Sequence, residues 1–213
     1  MNENKEPITL SCSDCAVVKC ASQQGEYPSF CLTKNMDLKI RKEVIDEYNS
    51  NEEDAKFIKA TAEVAFASQF TFNRVKETME VAKSMGYKKI GIATCVALIK
   101  EAKVIAQILR KNGFEPYTVA CKVSATKKTE LRISEEYIAK YDQQNCNPIM
   151  QAKLLEQAGC EFNIAVGLCV GHDSLFYKYS KAPVTTMIVK DVTLGHNPIA
   201  AIYTADRIFT KLL

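Results

Sequence analysis

The rhythm of apolar and polar positions changes along this chain, and the change predicts its elements. Between residues 36 and 86 apolar side chains recur at helical spacing. Asn51 stands before Glu52, Glu53 and Asp54, a capped helix start with acidic residues in its first turn. The alanine-rich AKFIKATAEVAFASQF then predicts a closely packed helix. Phe72, Val75, Met79 and Ala82 predict a second core-facing stripe that stops at Gly86. From Lys88 onward strand and helix patterns alternate. KKIGIAT and EPYTVAC read as strands around an amphipathic helix, VALIKEAKVIAQILRK, with Leu98, Ala102, Ile105 and Leu109 on one face. PIMQAKLLEQAG, behind Asn147-Pro148, has the signature of a helix start. FNIAVGLCVGHD predicts a strand buried on both faces, followed by a glycine turn and a His-Asp pair, and PVTTMIVKD a β-branched strand. Asn197-Pro198-Ile199 repeats the Asn-Pro helix start, with His196 placed before it as Cys146 is placed before the first.

Alternating strands and helices with right-handed crossovers predict an α/β fold: a Rossmann-like three-layer domain with a mainly parallel sheet of about four strands. With strand order 2-1-3-4, the strands before Cys95 and Cys169 are neighbours at the switch point, where open α/β sheets bind ligands. Cys95 and Cys121 follow the first two strands, and Cys146 precedes the first Asn-Pro helix. There the helix N–H groups would favour its thiolate. Residues 122–147 form a polar connection long enough to be a functional loop or lid. The turn Ala93-Thr94-Cys95-Val96 lacks the glycines of a dinucleotide fingerprint, which argues against nucleotide binding in the usual Rossmann manner.

Residues 1–35 have few aliphatics and four cysteines, so the expected organisation is a metal-binding segment, 1–35, followed by an α/β domain with amino-terminal helices, 36–213. Cys12, Cys15, Cys20 and Cys31 follow C-x2-C-x4-C-x10-C. The uneven spacing suits an iron–sulfur cluster, and zinc is the alternative. Nine cysteines in all, an odd number, argue against a disulfide framework. A net charge of +3 with mixed signs gives no footprint for nucleic acid or an anionic membrane. MNENKEPITL lacks a signal-like apolar core, and no apolar run reaches bilayer length, so a soluble cytoplasmic protein is expected.

Cys95, Cys121, Cys146 and Cys169 thus form a candidate second site at the sheet edge, with His172 and Asp173 as candidate acid/base or sulfur-supporting groups. His196, Tyr177, Lys178 and Lys181 are further candidates for the same mouth. Cys160, beside a helix-ending glycine, reads as structural, and the Met-aromatic stripe reads as core.

CSDCAVVKC, IGIATC, VACKVSA, CNPIMQAKLL, GLCVGHDSLFYKYSKAPVTTMIVKD and LGHNPIAAIY together resemble a prokaryotic family of unknown function whose members are described as metal-binding. The resemblance implies that Cys12, Cys15, Cys20, Cys31, Cys95, Cys121, Cys146 and Cys169 belong to one cysteine set, and it supplies no reaction. Three functions remain open at this level. The first is a metalloprotein with one or two iron–sulfur clusters, [4Fe–4S] in type, acting on a small-molecule substrate or a redox partner protein. The second is a non-catalytic carrier or sensor of zinc, another metal or a cluster. The third is a metal-free thiol enzyme with Cys95 as nucleophile.

Overall fold

Four strands, β1 (Lys89–Thr94), β2 (Glu115–Ala120), β3 (Phe162–Val166) and β4 (Val184–Ile188), form one parallel sheet in the order β2-β1-β3-β4. The computed structural model describes residues 10–22, 25–69 and 71–212. Residues 1–9, which carry most of the MNENKEPITL stretch, lie outside the described residues, as do Gln23, Gln24, Phe70 and Leu213. Met1–Ile58 and Lys59–Leu213 are two compact units.

The first unit contains two short 3-10 turns, Cys12–Asp14 and Lys19–Ala21, then helices α1 (Leu32–Asn35) and α2 (Leu38–Ser50). Helix α3 (Glu52–Ser68) begins in it and crosses into the second. Asn51 caps α3 as its position predicts: its Oδ1 accepts from the N–H groups of Glu53 and Asp54 at 3.0 and 3.2 Å.

The alanine-rich helix is less buried than its composition suggests. Only Ala60, Val64 and Ser68 of α3 are buried, a stripe one residue wide, and Phe66 is 81% exposed. Helix α4 (Arg74–Met85) starts after Phe72, because Asn73 caps it through Lys76 N. Thr78, Met79, Ala82 and Met85 are its buried face, and Gly86, at φ 83°, ends it.

Right-handed crossovers explain the layers. The chain moves from β1 to β2 in one direction and from β2 to β3 to β4 in the other, so α5 (Ile99–Lys111) covers one face. Helices α6 (Pro148–Gln157) and α7 (His172–Tyr179) pack together on the other. On that face Ala93, Val119 and Ala165 of three adjacent strands meet Ala152, Leu155, Phe176 and Cys160. Cys160 is core, as its position predicted, and burial raises its thiol. Every residue of β3 is buried, which is why its sequence shows no alternation. Gly91 makes room beneath the sheet: a Cβ there would lie 2.0 Å from Asn163 Oδ1.

Two loops differ from the expected pattern. The first strand is followed by a 3-10 turn, Val96–Leu98, and the helix proper starts at Ile99. Residues 122–147 are also not a free lid. Lys122 and Lys128 both grip Asp142 at 2.7 Å, Lys127 pairs with Gln144, and Asn145 N donates to Thr126 O at 2.8 Å. The excursion is stapled across its base.

At the carboxyl end Pro198, not Asn197, occupies the cap position of α8 (Ile199–Tyr203), a helix of a single turn and a half. His196 sits at φ 67° and its Nδ1 accepts from Asp191 N at 3.2 Å. It closes a turn rather than repeating the placement of Cys146. Among the described residues no helix is long and apolar enough to cross a membrane.

Candidate cysteine sites

Each strand of the sheet delivers one chemically capable side chain just beyond its carboxyl end. Cys95 follows β1 and Cys121 follows β2 directly, Cys169 comes after the Gly167-Leu168 turn beyond β3, and Lys190 comes after β4. Backbone bonds fix these ends against one another. Cys95 N donates to Val166 O at 3.2 Å, and Gly167 N to Ile188 O at 2.7 Å. Gln151, fully buried on α6, donates to Thr94 O at 3.1 Å and to Val119 O at 2.8 Å, so it ties β1 to β2 just before their cysteines. Gly167 holds the last turn at φ +64°, and a Cβ there would meet Leu98 Cδ1 at 1.9 Å.

Cys146 reaches the same rim from the far end of the stapled excursion. Its neighbour's backbone is hydrogen-bonded to Cys121, Asn147 N to Cys121 O at 2.7 Å, and the Cys121 and Cys146 sulfurs are 3.5 Å apart. The Cys121 thiol is pushed up by that shared bond and by burial. Cys146 is lowered from 9.0 to about 7, chiefly by the hydrogen bond with Cys121, against burial and with help from the Lys122 charge. The expected helix-terminus effect is not the cause, because the Asn147 side chain takes the Met150 N–H. The backbone donor at the rim instead serves Cys121, which accepts from Val96 N at 3.4 Å.

Lys190 donates to Cys95 Sγ at 2.8 Å. Burial works to lower Lys190, but this bond and the charges of Cys95, Cys169 and Cys121 outweigh it and leave the ammonium favoured. Cys169 is raised by burial, with Lys190 opposing, and it feels the charges of Cys95 and Cys121. The four cysteines expected at one edge are therefore neighbours there. Lys190 and Lys122 are functional candidates the sequence did not disclose, since a lysine after an apolar strand looks like any surface lysine.

The other candidates stand differently. His172 opens α7 and is half-buried, and among the described residues its side chain makes no hydrogen bond. Asp173 turns its Oδ1 to its own neighbour, Ser174 N, at 2.7 Å rather than to His172. Tyr177 pairs with Thr186 at 2.6 Å, and Lys178 lies over the Tyr179 ring.

In the first unit Cys12, Cys15, Cys20 and Cys31 all line one cavity of about 80 Å³, with Tyr27, Phe30 and Leu32 among its other walls. Among the described residues no carboxylate lines it. Cys31 precedes α1, and the Lys34 backbone N–H lowers its thiol; burial opposes this, and the Thr33 backbone N–H adds to the lowering. Among the described residues, no three His, Cys, Asp or Glu side chains already stand in metal-holding positions.

A family described as "protein of unknown function (DUF1847)" matches residues 31–187. The chain belongs to that family. The DUF1847 match takes in Cys31 and all four rim cysteines and stops before Lys190. An uncharacterized protein of Methanocaldococcus jannaschii, MJ0455, is 46% identical over 176 residues, 82% of this chain and 89% of the relative. The DUF1847 description carries no metal and no reaction.

Proposed function

We propose that this member of DUF1847 is a metal-binding protein with two cysteine sites, most compatible with iron–sulfur chemistry. The observation that carries the reading is the convergence of Cys95, Cys121, Cys146 and Cys169, which are far apart in sequence, at one ligand-binding rim. Sulfur is the only ligand type common to both sites, which fits soft or borderline metals such as zinc or iron–sulfur clusters and not calcium or magnesium. Cys12, Cys15, Cys20 and Cys31 would hold one centre, and the rim cysteines the other. Metal loading would require the thiols of each site to close around the ion or cluster. A bound cluster would supply electron transfer or Lewis acidity.

The chain's own residues support such a rim. Lys190 and Lys122 offset thiolate charge, Val96 N–H orients the Cys121 sulfur, and Gln151 holds the two strand ends in register. The Lys190–Cys95 contact favours a second reading, a metal-free thiol enzyme with Cys95 as nucleophile.

The test is anaerobic purification with iron, acid-labile sulfide and zinc counted per chain. Absorption and electron paramagnetic resonance spectra are then compared for wild type, Cys15→Ala and Cys169→Ala. Two separable losses are expected. Less than one metal per chain after reconstitution, with an unchanged spectrum in both variants, overturns the metal reading and leaves the thiol reading.

A further inference from the structure

We infer that Cys121 and Cys146 form a reversible dithiol–disulfide couple that exchanges with low-molecular-weight disulfides. The couple uses two of the four rim cysteines, so it operates in the metal-free chain, and its geometry does not rest on the metal reading. Their sulfurs are 3.5 Å apart, so closure to a bond of roughly 2.0 Å requires a movement of about 1.5 Å. The backbone is already in place for it, because Asn147 N is bonded to Cys121 O at 2.7 Å. Cys95 also hydrogen-bonds Cys121, but the Cys121–Cys146 bond has the larger effect on that thiol.

The two thiols differ in access, and the difference assigns their parts. Cys146 is half-exposed where the excursion returns to the sheet, whereas Cys121 is 2% exposed. Cys146 is the entry thiol. As thiolate it attacks one sulfur of the incoming disulfide, forms a mixed disulfide and expels the first small thiolate. Cys121, giving up its proton, then attacks the Cys146 sulfur, forms the internal disulfide and expels the second thiolate. Two protein thiols are oxidised and one small disulfide is reduced to two thiols.

The ring closed by the new bond costs little additional order. Residues 122–145 are already joined across their base by Lys122 and Lys128 to Asp142 and by the Asn145–Thr126 backbone bond. Of the neighbouring thiols, Cys95 is held by Lys190 as well as by Cys121, and Cys160 lies in the core below the sheet.

The experiment uses the full chain, stripped with chelator and reductant, then equilibrated in glutathione buffers of stepped potential. Free thiols are alkylated, and the links are mapped by non-reducing peptide mass spectrometry. The Cys121–Cys146 peptide is expected at a more reducing potential than any link involving Cys95, Cys160 or Cys169. Cys121→Ser is expected to accumulate glutathione on Cys146, while Cys146→Ser forms no link at Cys121. Pairing of either residue with another cysteine first, or alkylation of both at every potential, overturns the proposal. Glutathione failing to accumulate on Cys146 in soluble Cys121→Ser overturns the order of attack. If that variant does not fold, the wild-type map decides alone. Metal counts play no part in these readouts, so a failure of the metal reading is seen separately.

Discussion

Lys190 Nζ stands 2.8 Å from Cys95 Sγ, although the two residues are 95 positions apart in the chain. The contact links the end of β4 to the end of β1 across the intervening strand β3. Cys95 is buried, so removal of the ammonium takes the charged donor away from its sulfur. Lys190→Met is expected to cost about 1–2 kcal/mol. The midpoint of denaturant unfolding should fall with its slope unchanged, and Lys190→Arg should retain most of the stability. A midpoint equal to wild type for the methionine variant removes the structural role of the pair.

Cys146 carries the lowered thiol of the rim, at about 7 against an ordinary 9.0. A lowered value means that thiolate accumulates as pH rises through about 7, two units before a free cysteine would supply it. The rate of Cys146 alkylation in metal-free protein should therefore climb between pH 6 and 8, in keeping with a midpoint of about 7. Cys121→Ser weakens the shared hydrogen bond, so the midpoint moves upward. A profile that does not move on substitution contradicts the Cys121 hydrogen bond as the cause of the lowering.

Gly167 and Gly159 separate conformational strain from steric conflict. Both have positive φ, but a Cβ at Gly159 meets nothing within 4 Å, while one at Gly167 meets Leu98 at 1.9 Å. Gly159→Ala should lose about 1 kcal/mol from backbone strain alone. Gly167→Ala adds displacement of a buried leucine and should lose about 2–4 kcal/mol, read as a larger fall in thermal midpoint. Equal losses would mean that Leu98 repacks freely.

Asp142 governs the acid response of the excursion. Lys122 and Lys128 hold its carboxyl at about 2, below the ordinary 3.8. A depressed value contributes stability that is fully present above about 3.8 and is lost as pH falls through about 2. Amide protection of Lys128, whose N–H bonds Gln143 O at 3.0 Å, should decline across that window while the strands stay protected. In Asp142→Asn the protection should be low already at pH 5 and flat below it.

The order of strands and the gathering of cysteines at one edge were legible because they follow from chain order and crossover handedness. Cys95, Cys121 and Cys169 each sit at the end of a readable strand pattern, so the topology alone placed them. Lys190 was not legible, since its role depends on a strand two places away in the sheet. The staple at Asp142 was equally hidden, because it joins residues 14 and 20 positions away from it, a separation that no local pattern marks. The exposure of α3 escaped composition for another reason: alanine is compatible with both faces of a helix, so its abundance did not reveal how narrow the buried stripe is.

The base of the excursion has one more consequence. Because the chain departs at Cys121 and returns at Cys146 beside it, a cut anywhere in the outer part of residues 127–143 leaves both stumps anchored at the sheet. The outer part can therefore vary in length, be clipped, or accept a grafted peptide while the sulfurs beneath keep their places. The rim belongs to the strand ends and the base of the excursion, and only the outer part is dispensable.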